Sequence, residues 1–127
     1  MADIVLDASA VLALLNDEPG AEVVAEALPE AVISAVNLSE VVAKLCGAGM
    51  PQKEILQALE PLGLEVAPFD DEQAYQAGFL NASTKGAGIS LGDRACLSLA
   101  KTLGVAALTA DKMWTRLSVG VIVKVIR

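Results

Sequence analysis

The sequence predicts an α/β fold, a three-layer α/β/α sandwich built on a mainly parallel sheet of four to five strands. Short apolar runs such as residues 4–6 and 106–109 are too short for helices and have the aliphatic character of buried parallel strands. These runs alternate with segments whose apolar residues recur at helical spacing. The chain has 127 residues, 54% of them hydrophobic and 20% charged, so we expect one domain, residues 1–127, with its own core.

Turn residues and caps divide the first half of the chain into strands and helices. Ser9 is a predicted helix cap, Pro19-Gly20 and Pro29 interrupt the helical pattern, and Pro51 suits the first position of a helix. The predicted strands are residues 2–6 and 31–34, and the predicted helices are residues 10–16, 21–28, 37–47 and 51–59.

The second half of the chain repeats this alternation. Asp70 or Asp71 begins a helix, and Ser90 begins a long helix that Gly104 ends. The predicted strands are residues 64–69, 106–109 and 121–126, and the predicted helices are residues 71–81, 90–103 and 112–117. Since helices join consecutive strands, the sheet is expected to be mainly parallel.

Charge and composition narrow the possible functions. Nine basic and 16 acidic residues give a net charge of −7, which as a whole repels nucleic acid and anionic membranes. Any action on nucleic acid therefore depends on local basic residues or bound cations. The chain contains no histidine, which removes the commonest general base, the commonest zinc ligand and the Ser-His-Asp triad.

The cysteines and the amino-terminal sequence predict a cytoplasmic protein. Cys46 and Cys96 lie in helical patterns without CxxC spacing, so we interpret both as small, reduced core residues. The amino terminus has no basic region of the kind that begins a signal peptide, and no apolar run is long enough to span a membrane.

Four carboxylates occupy positions at which an α/β sheet presents ligands. Asp7 and Asp111 come after predicted strands, and Glu40 and Asp93 lie in the predicted first turns of helices. The carboxyl ends of parallel strands and the amino ends of the helices after them share one edge of the sheet. All four acids are therefore able to converge on one cleft.

Each acid also has a purely structural explanation. Asn37-x-x-Glu40 and Ser90-x-x-Asp93 resemble capping boxes, in which the acid accepts from a free backbone N–H. Glu40 and Lys44 have the spacing of an exposed helical ion pair. The two acids that come after strands have the position of helix caps.

A shared metal site would explain the four acids together. Carboxylates crowded into one cleft repel one another unless a cation joins them. Oxygen ligands without imidazole or thiolate favour Mg²⁺ or Mn²⁺ over zinc. A cleft that holds such an ion attracts phosphate. The bound ion would therefore offset the electrostatic repulsion between the acidic chain and any nucleic acid.

The order of these motifs resembles that of PIN-domain ribonucleases, over essentially the whole chain. The motifs are Asp7-x-Ser9, Asn37-Leu38-Ser39-Glu40, Leu91-Gly92-Asp93-Arg94 and Thr109-Ala110-Asp111. The most similar subgroup is the toxin half of VapBC toxin–antitoxin pairs. The resemblance implies an Mg²⁺-dependent endoribonuclease, with Mn²⁺ as a substitute, that cleaves structured RNA such as tRNA or rRNA. It also implies a homodimer and a VapB-type antitoxin that blocks the acidic site and binds DNA.

The resemblance suggests a role for each acid. Asp7, Glu40 and Asp93 would hold the principal metal ion, and Asp111 would complete the site for a second ion present only with RNA. Water activated by the metal would attack the phosphodiester in line and leave 5′-phosphate and 3′-hydroxyl ends.

Residues beside the acids are candidates for secondary roles. Ser9 and Thr109 would orient a carboxylate or water, unless they are a simple helix cap and a strand-end hydroxyl. Basic residues within about one helical turn of an acid would contact RNA phosphates or balance the acidic charge. These basic residues are Lys44, Arg94, Lys112 and Arg116. Trp114 has the position of a base-stacking residue, but a lone Trp in a short apolar helix is expected to pack in the core.

The first two predicted helices carry more apolar residues than two short helices need against one sheet. The residues are Val11, Leu12, Leu14, Leu15, Val23, Val24 and Leu28. They predict either an interface or helices that bury their own faces.

Three other interpretations compete with the nuclease. A receiver-like signalling module needs an acidic pair after the first strand and an Asp at the end of the central strand, where this chain has Ala67-Pro68-Phe69. A phosphatase of the haloacid dehalogenase type needs a second Asp where this chain has Ser9. A PIN fold retained only for binding would keep the same architecture without turnover.

Overall fold

Five strands form one parallel sheet in a computed structural model that describes residues 2–127. The strands are β1 (Ile4–Leu6), β2 (Ala31–Ser34), β3 (Glu65–Ala67), β4 (Ala106–Thr109) and β5 (Val123–Val125). The helices are α1 (Ala8–Leu15), α2 (Ala21–Ala27), α3 (Ala35–Gly47), α4 (Gln52–Leu59), α5 (Asp71–Ser83) and α6 (Leu91–Leu103). Shorter 3₁₀ segments cover Leu28–Glu30, Glu60–Leu62 and Lys112–Arg116.

The strand order is β3-β2-β1-β4-β5, and all four neighbouring pairs are parallel. The chain moves outward on one side of β1 and then returns to add β4 and β5 on the other side. Open α/β sheets bind ligands at such a point of reversal, outside the carboxyl ends of the strands. The doubly wound order of receiver domains is 2-1-3-4-5, so the topology excludes the receiver-like interpretation.

Alternating side chains of the central strands bury both faces of the sheet. Leu6 and Ile33 pair across β1 and β2 and enter one hydrophobic cluster, and Val5 and Val32, one residue earlier, enter the other. The first cluster includes residues from α1 to α4, and the second includes residues from α5 and α6. This arrangement confirms the three-layer prediction, because successive strand residues point to opposite faces.

Three predicted strands are longer than the observed ones. Asp3, expected in the first strand, donates its N–H to the Glu30 carbonyl of a 3₁₀ segment instead. Strands β3 and β5 lie at the edges of the sheet and pair on one side only. Pro68, beyond the end of β3, has no N–H for a ladder hydrogen bond.

The apolar residues of the first two helices mostly bury their own faces. Val11 and Val24 are fully buried, and the four leucines are half-buried against the same cluster. Val23 is the exception at 41% exposure.

The isolated Trp and the two cysteines have different environments. Trp114 is fully buried in the second cluster, which confirms its predicted core position. Cys96 is buried there too, but Cys46 is exposed on α3, so the core prediction is wrong for Cys46.

Each helix found between residues 2 and 127 is too short or too polar to cross a bilayer.

Candidate functional site

Asp7 lies where the sheet reverses, directly after β1. Its backbone N–H donates to the Leu108 carbonyl at 2.9 Å and thereby extends the ladder between β1 and β4. Asp7 then occupies the residue before α1 and is only 5% exposed. Asp7 therefore lies at the predicted end of the first strand, and its carboxylate is buried.

Two hydroxyl groups hold this carboxylate. Ser9 Oγ donates to Asp7 Oδ2 at 2.6 Å, and Thr109 Oγ1 donates to the same oxygen at 2.9 Å. Each hydroxyl has one proton, so the 3.2 Å approach between Ser9 and Thr109 is no further hydrogen bond. Ser9 Oγ also accepts from the N–H of Ala110 at 3.0 Å. Ser9 is thus an orienting residue, and its predicted role as a helix cap is wrong because α1 begins at Ala8.

Burial dominates the electrostatics of Asp7. Desolvation raises the pKa of its carboxyl from 3.8 to about 6, and the hydrogen bonds from Ser9 and Thr109 oppose this rise. The negative charge of Asp93 raises the pKa further. A cation bound beside Asp7 would stabilise the charged form against both effects.

Glu40 is oriented by Asn37 and not by a helix cap. Helix α3 begins after Ser34, whose Oγ accepts from the N–H of Val36 at 3.2 Å. Asn37 therefore lies inside the helix, and its Nδ2 donates to Glu40 Oε1 at 2.9 Å. Glu40 lies in the second turn, so the predicted Asn37–Glu40 capping box is wrong. Within residues 2–127, no salt bridge joins Glu40 to Lys44, so the predicted helical pair is also wrong.

Asp93 does form the predicted capping box at the start of α6. Ser90 Oγ accepts from the Asp93 N–H, and Asp93 Oδ2 accepts from the Ser90 N–H, both at 3.1 Å. A carboxylate has two oxygens with several lone pairs, so a cap bond through one of them leaves room for a cation. The structural explanation is confirmed for Asp93 without excluding a metal role.

The Cys96 thiol shows that three of the acids converge. Burial raises the pKa of Cys96 well above its usual value, and the charges of Asp7, Asp93 and Glu40 raise it further. Carboxylates from the end of β1, from α3 and from α6 thus all act on one buried thiol, and the Glu40 carboxylate lies against Gly92, the residue before Asp93.

Asp111, the fourth acid, is connected to the other three through Thr109 and Asp7. It is exposed, and its Oδ1 accepts from the N–H of Met113 at 2.9 Å, which confirms the predicted helix cap. Its own N–H donates to Thr109 Oγ1 at 3.1 Å. Thr109, fully buried, thus links the backbone of Asp111 to the carboxylate of Asp7.

The donor set fits a hard divalent cation. In the part of the chain from Ala2 to Arg127, no three Asp, Glu, Cys or His side chains are already arranged to hold a metal ion. Mg²⁺ does not need such a cage, because it keeps several waters and binds through one or two carboxylates. Asp7, Glu40 and Asp93 offer only oxygen ligands, as Mg²⁺ requires. The prediction of four metal ligands remains a prediction.

The basic residues separate into two groups. Arg94 Nη1 donates to the Ala77 carbonyl of α5 at 3.1 Å, and its Nε is buried without a partner among residues 2–127. This bond directs Arg94 toward α5, which does not support the predicted phosphate contact. Lys44, Lys112 and Arg116 are exposed as a phosphate contact requires.

Sequence reasoning missed two residues of the site. The local pattern presents Asn37 as a cap and Gly92 only as part of a motif. A Cβ atom at Gly92 would overlap the Glu40 carboxylate, so a larger residue there would displace that carboxylate. A glycine at the second position of a helix is a poor helix former, which is the signal that would have drawn attention to Gly92.

Comparisons with known proteins identify the fold and the family. The family model described as PIN domain matches residues 4–120. The fold is similar to the structure of DNA-bound VapBC from Salmonella typhimurium, with a TM-score of 0.80 and 19% identity over 100% of both chains. It is also similar to VapBC2 from Rickettsia felis bound to a promoter DNA fragment, with a TM-score of 0.71 and 20% identity over 95% of this chain and 96% of that one.

A further similar structure is VapBC-5 from Mycobacterium tuberculosis, with a TM-score of 0.65 and 24% identity over 100% of this chain and 99% of the other. No curated protein matches the sequence. The match to the family model extends over both halves of the sheet and includes Asp7, Glu40, Asp93 and Asp111. By this match the chain belongs to the PIN domain family.

Proposed function

We propose that the protein is an Mg²⁺-dependent endoribonuclease of the VapC type, the toxin of a toxin–antitoxin pair. The observation that supports this proposal best is the placement of three acids at the reversal point of the sheet. Asp7 follows β1 there, and the Glu40 carboxylate lies against Gly92, the residue before Asp93. Membership of the PIN domain family supports a nuclease. The similarity to structures named VapBC supports the toxin role.

The proposed reaction is hydrolysis of an RNA phosphodiester, leaving 5′-phosphate and 3′-hydroxyl ends. Asp7, Glu40 and Asp93 would hold Mg²⁺, with Asp111 completing the site and Mn²⁺ able to substitute. When bound, the ion supplies a Lewis acid that offsets charge on the phosphate oxygens. The chain supplies orientation: two hydroxyls hold Asp7 Oδ2, and an amide holds Glu40 Oε1.

The RNA is held by local contacts, because the chain as a whole carries a net charge of −7. Three exposed basic residues near the acids would contact phosphates: Lys44, Lys112 and Arg116. Such contacts, together with the cation, offset the repulsion between RNA and the acidic surface.

The proposed partners are a second copy of the chain and a VapB-type antitoxin, acting in the cytoplasm. The structures from Salmonella typhimurium and Rickettsia felis are named as VapBC with DNA, so a DNA-binding antitoxin is the partner those names support. The antitoxin would cover the acidic edge of the sheet and keep RNA away from Asp7.

The test is cleavage of total RNA by the purified chain in Mg²⁺, in Mn²⁺ and in EDTA. Asp93→Asn, prepared identically, reveals contaminating nucleases. Asn retains the acceptor oxygen that caps α6, so the variant should fold. Asp71→Asn, at an exposed carboxylate on α5, is the matched control that should remain active.

We expect discrete cleavage that requires metal, persists in Asp71→Asn and disappears in Asp93→Asn. Cleavage by Asp93→Asn equal to that of the unaltered chain would refute the assignment. A folded chain that binds RNA without cutting it would instead favour the PIN fold retained for binding.

A further inference from the structure

The side chain of Asn37 connects two elements of the site from a fully buried position. Asn37 is 0% exposed, in the first turn of α3. Its Nδ2 donates to Glu40 Oε1 and to the Gly92 carbonyl of α6, each at 2.9 Å. An amide nitrogen has two protons, so these two bonds use its full donor capacity. Both partners are acceptors, which requires the nitrogen to face them.

Gly92 completes the contact from the opposite side. The Glu40 carboxylate occupies the space in which a Cβ of residue 92 would lie. Gly92 is buried and directly precedes Asp93 in the chain. The Glu40 carboxylate is therefore held between an amide donor on its own helix and the backbone of the helix that carries Asp93.

We propose that Asn37 and Gly92 are positioning residues that set the distance between the Glu40 and Asp93 carboxylates for a shared divalent cation. The inference rests on the proposed function, because it assigns Glu40 to a metal. Its basis is the pair of 2.9 Å bonds from Asn37 and the missing side chain at Gly92. Neither residue is proposed to touch the ion.

The physical reason is the freedom of the glutamate side chain. Glu40 is partly buried and has three side-chain torsions, so without a fixed partner its carboxylate would be free to adopt several positions. The Asn37 amide removes that freedom before any ion arrives. Residues that orient metal ligands in this way typically change metal affinity about 10- to 100-fold when replaced.

A purely structural role of Asn37, joining α3 to α6, predicts a different result. Loss of such a tie would lower stability without a specific effect on the ion. Metal affinity, measured on folded protein, separates the two roles. Mn²⁺ is the probe, and its binding is followed by calorimetry on the full chain.

The first experiment replaces the side-chain amide of Asn37 and measures Mn²⁺ affinity. Asn37→Ala removes both donors, and Asn37→Asp keeps the shape but places an acceptor against Glu40. We expect each variant to bind Mn²⁺ at least about 10-fold more weakly than the unaltered chain. Asn81→Asp makes the same chemical change at an exposed position on α5 and should bind Mn²⁺ normally. If Asn37→Ala does not fold, Asn37→Asp carries the test.

The second experiment replaces Gly92 and measures the melting temperature without metal. Gly78 lies in α5 with open space where a Cβ would be, so Gly78→Ala should raise the melting temperature. Gly92→Ala should lower the melting temperature, since its Cβ displaces the Glu40 carboxylate. Glu40→Ala removes that carboxylate, so the double variant Gly92→Ala/Glu40→Ala should recover stability. All melts are recorded in EDTA.

Each outcome decides between the proposals. Mn²⁺ affinity of both Asn37 variants within twofold of the unaltered chain would overturn the positioning role while the proposed function stands. Absence of Mn²⁺ binding by the unaltered chain would overturn the proposed function and the positioning role together. Melting-temperature shifts of Gly92→Ala and Glu40→Ala that simply add in the double variant would show that residue 92 and the Glu40 carboxylate do not interact, and would overturn the inference.

Discussion

Asp7 and Asp111 occupy similar places after adjacent parallel strands, yet their carboxylates differ in burial and in hydrogen-bond partners. Asp7 is 5% exposed, and its carboxylate accepts from two hydroxyls. Asp111 is exposed, and its carboxylate caps a 3₁₀ segment. A strand-end position thus determines the edge of the sheet at which an acid lies, and the next element of the chain determines how deeply the acid is buried.

The difference in burial has two causes. Asp111 lies one residue farther from the end of its strand than Asp7 does, and a different element follows each acid. Asp7 comes immediately after β1 and is covered by α1, which starts at the next residue. Ala110 separates Asp111 from the end of β4, and the next element is a short 3₁₀ segment. Thr109 contacts both acids, so the two environments remain coupled.

Replacement of each acid by asparagine should give the largest difference between Asp7 and Asp111. Asp7→Asn should lower RNA cleavage about 1,000-fold, because loss of a buried metal ligand removes roughly 4 kcal/mol of transition-state stabilisation. Asp111→Asn should lower cleavage only about 10-fold, since Asn still caps the 3₁₀ segment. The initial rate of cleavage of one RNA substrate measures both. Equal losses would show that burial does not distinguish the two acids.

The pH dependence of stability should report Asp7. Its folded pKa of about 6 exceeds the ordinary value of 3.8, so the folded state holds more protons than the unfolded state between these values. Stability should therefore fall as pH rises from about 4 to about 6, by roughly 3 kcal/mol from this residue.

Urea unfolding in EDTA from pH 4 to pH 7 tests this expectation. The free energy of unfolding of Asp7→Asn lacks the contribution of this carboxyl, so its difference from the unaltered chain should change across the window. Parallel curves for the two proteins would contradict the raised pKa.

Divalent metal should stabilise the folded protein through the buried acid. At a free Mn²⁺ concentration of 100 times the dissociation constant, one site adds about 2.7 kcal/mol to the free energy of unfolding. The gain should disappear in Asp7→Asn and largely remain in Asp111→Asn. Thermal melts with Mn²⁺ and with EDTA measure it. An equal gain in Asp7→Asn and the unaltered chain would place the ion elsewhere.

Thr109→Val should produce the smallest change and test the link between the acids. Val has nearly the same shape but cannot donate to Asp7 or accept from Asp111. We expect Mn²⁺ affinity to fall about 10-fold, as for other residues that orient metal ligands. Thr115→Val, at an exposed position, is the control. Calorimetry that finds unchanged affinity in Thr109→Val would show that Ser9 alone suffices to hold Asp7.

Local patterns in the sequence predicted much of the site. The apolar run ending at Asp7, the Ser90–Asp93 box and the cap at Asp111 each depend on residues within a few positions of one another, and the structure contains all three. The true cap of α3 was missed, because Ser34 and Asn37 are both good caps and only one can start the helix.

Periodicity, turn residues and caps act over short distances, so the amino-acid sequence is enough to predict the class of fold, the chain order of the elements and four acids at one edge of the sheet. Which of these acids are buried depends on contacts between residues far apart in the chain. The hydroxyl of Thr109 reaches Asp7 from 102 residues away, and the amide of Asn37 reaches Gly92 from 55 residues away. Such contacts arise when strands and helices pack, so no local pattern encodes them.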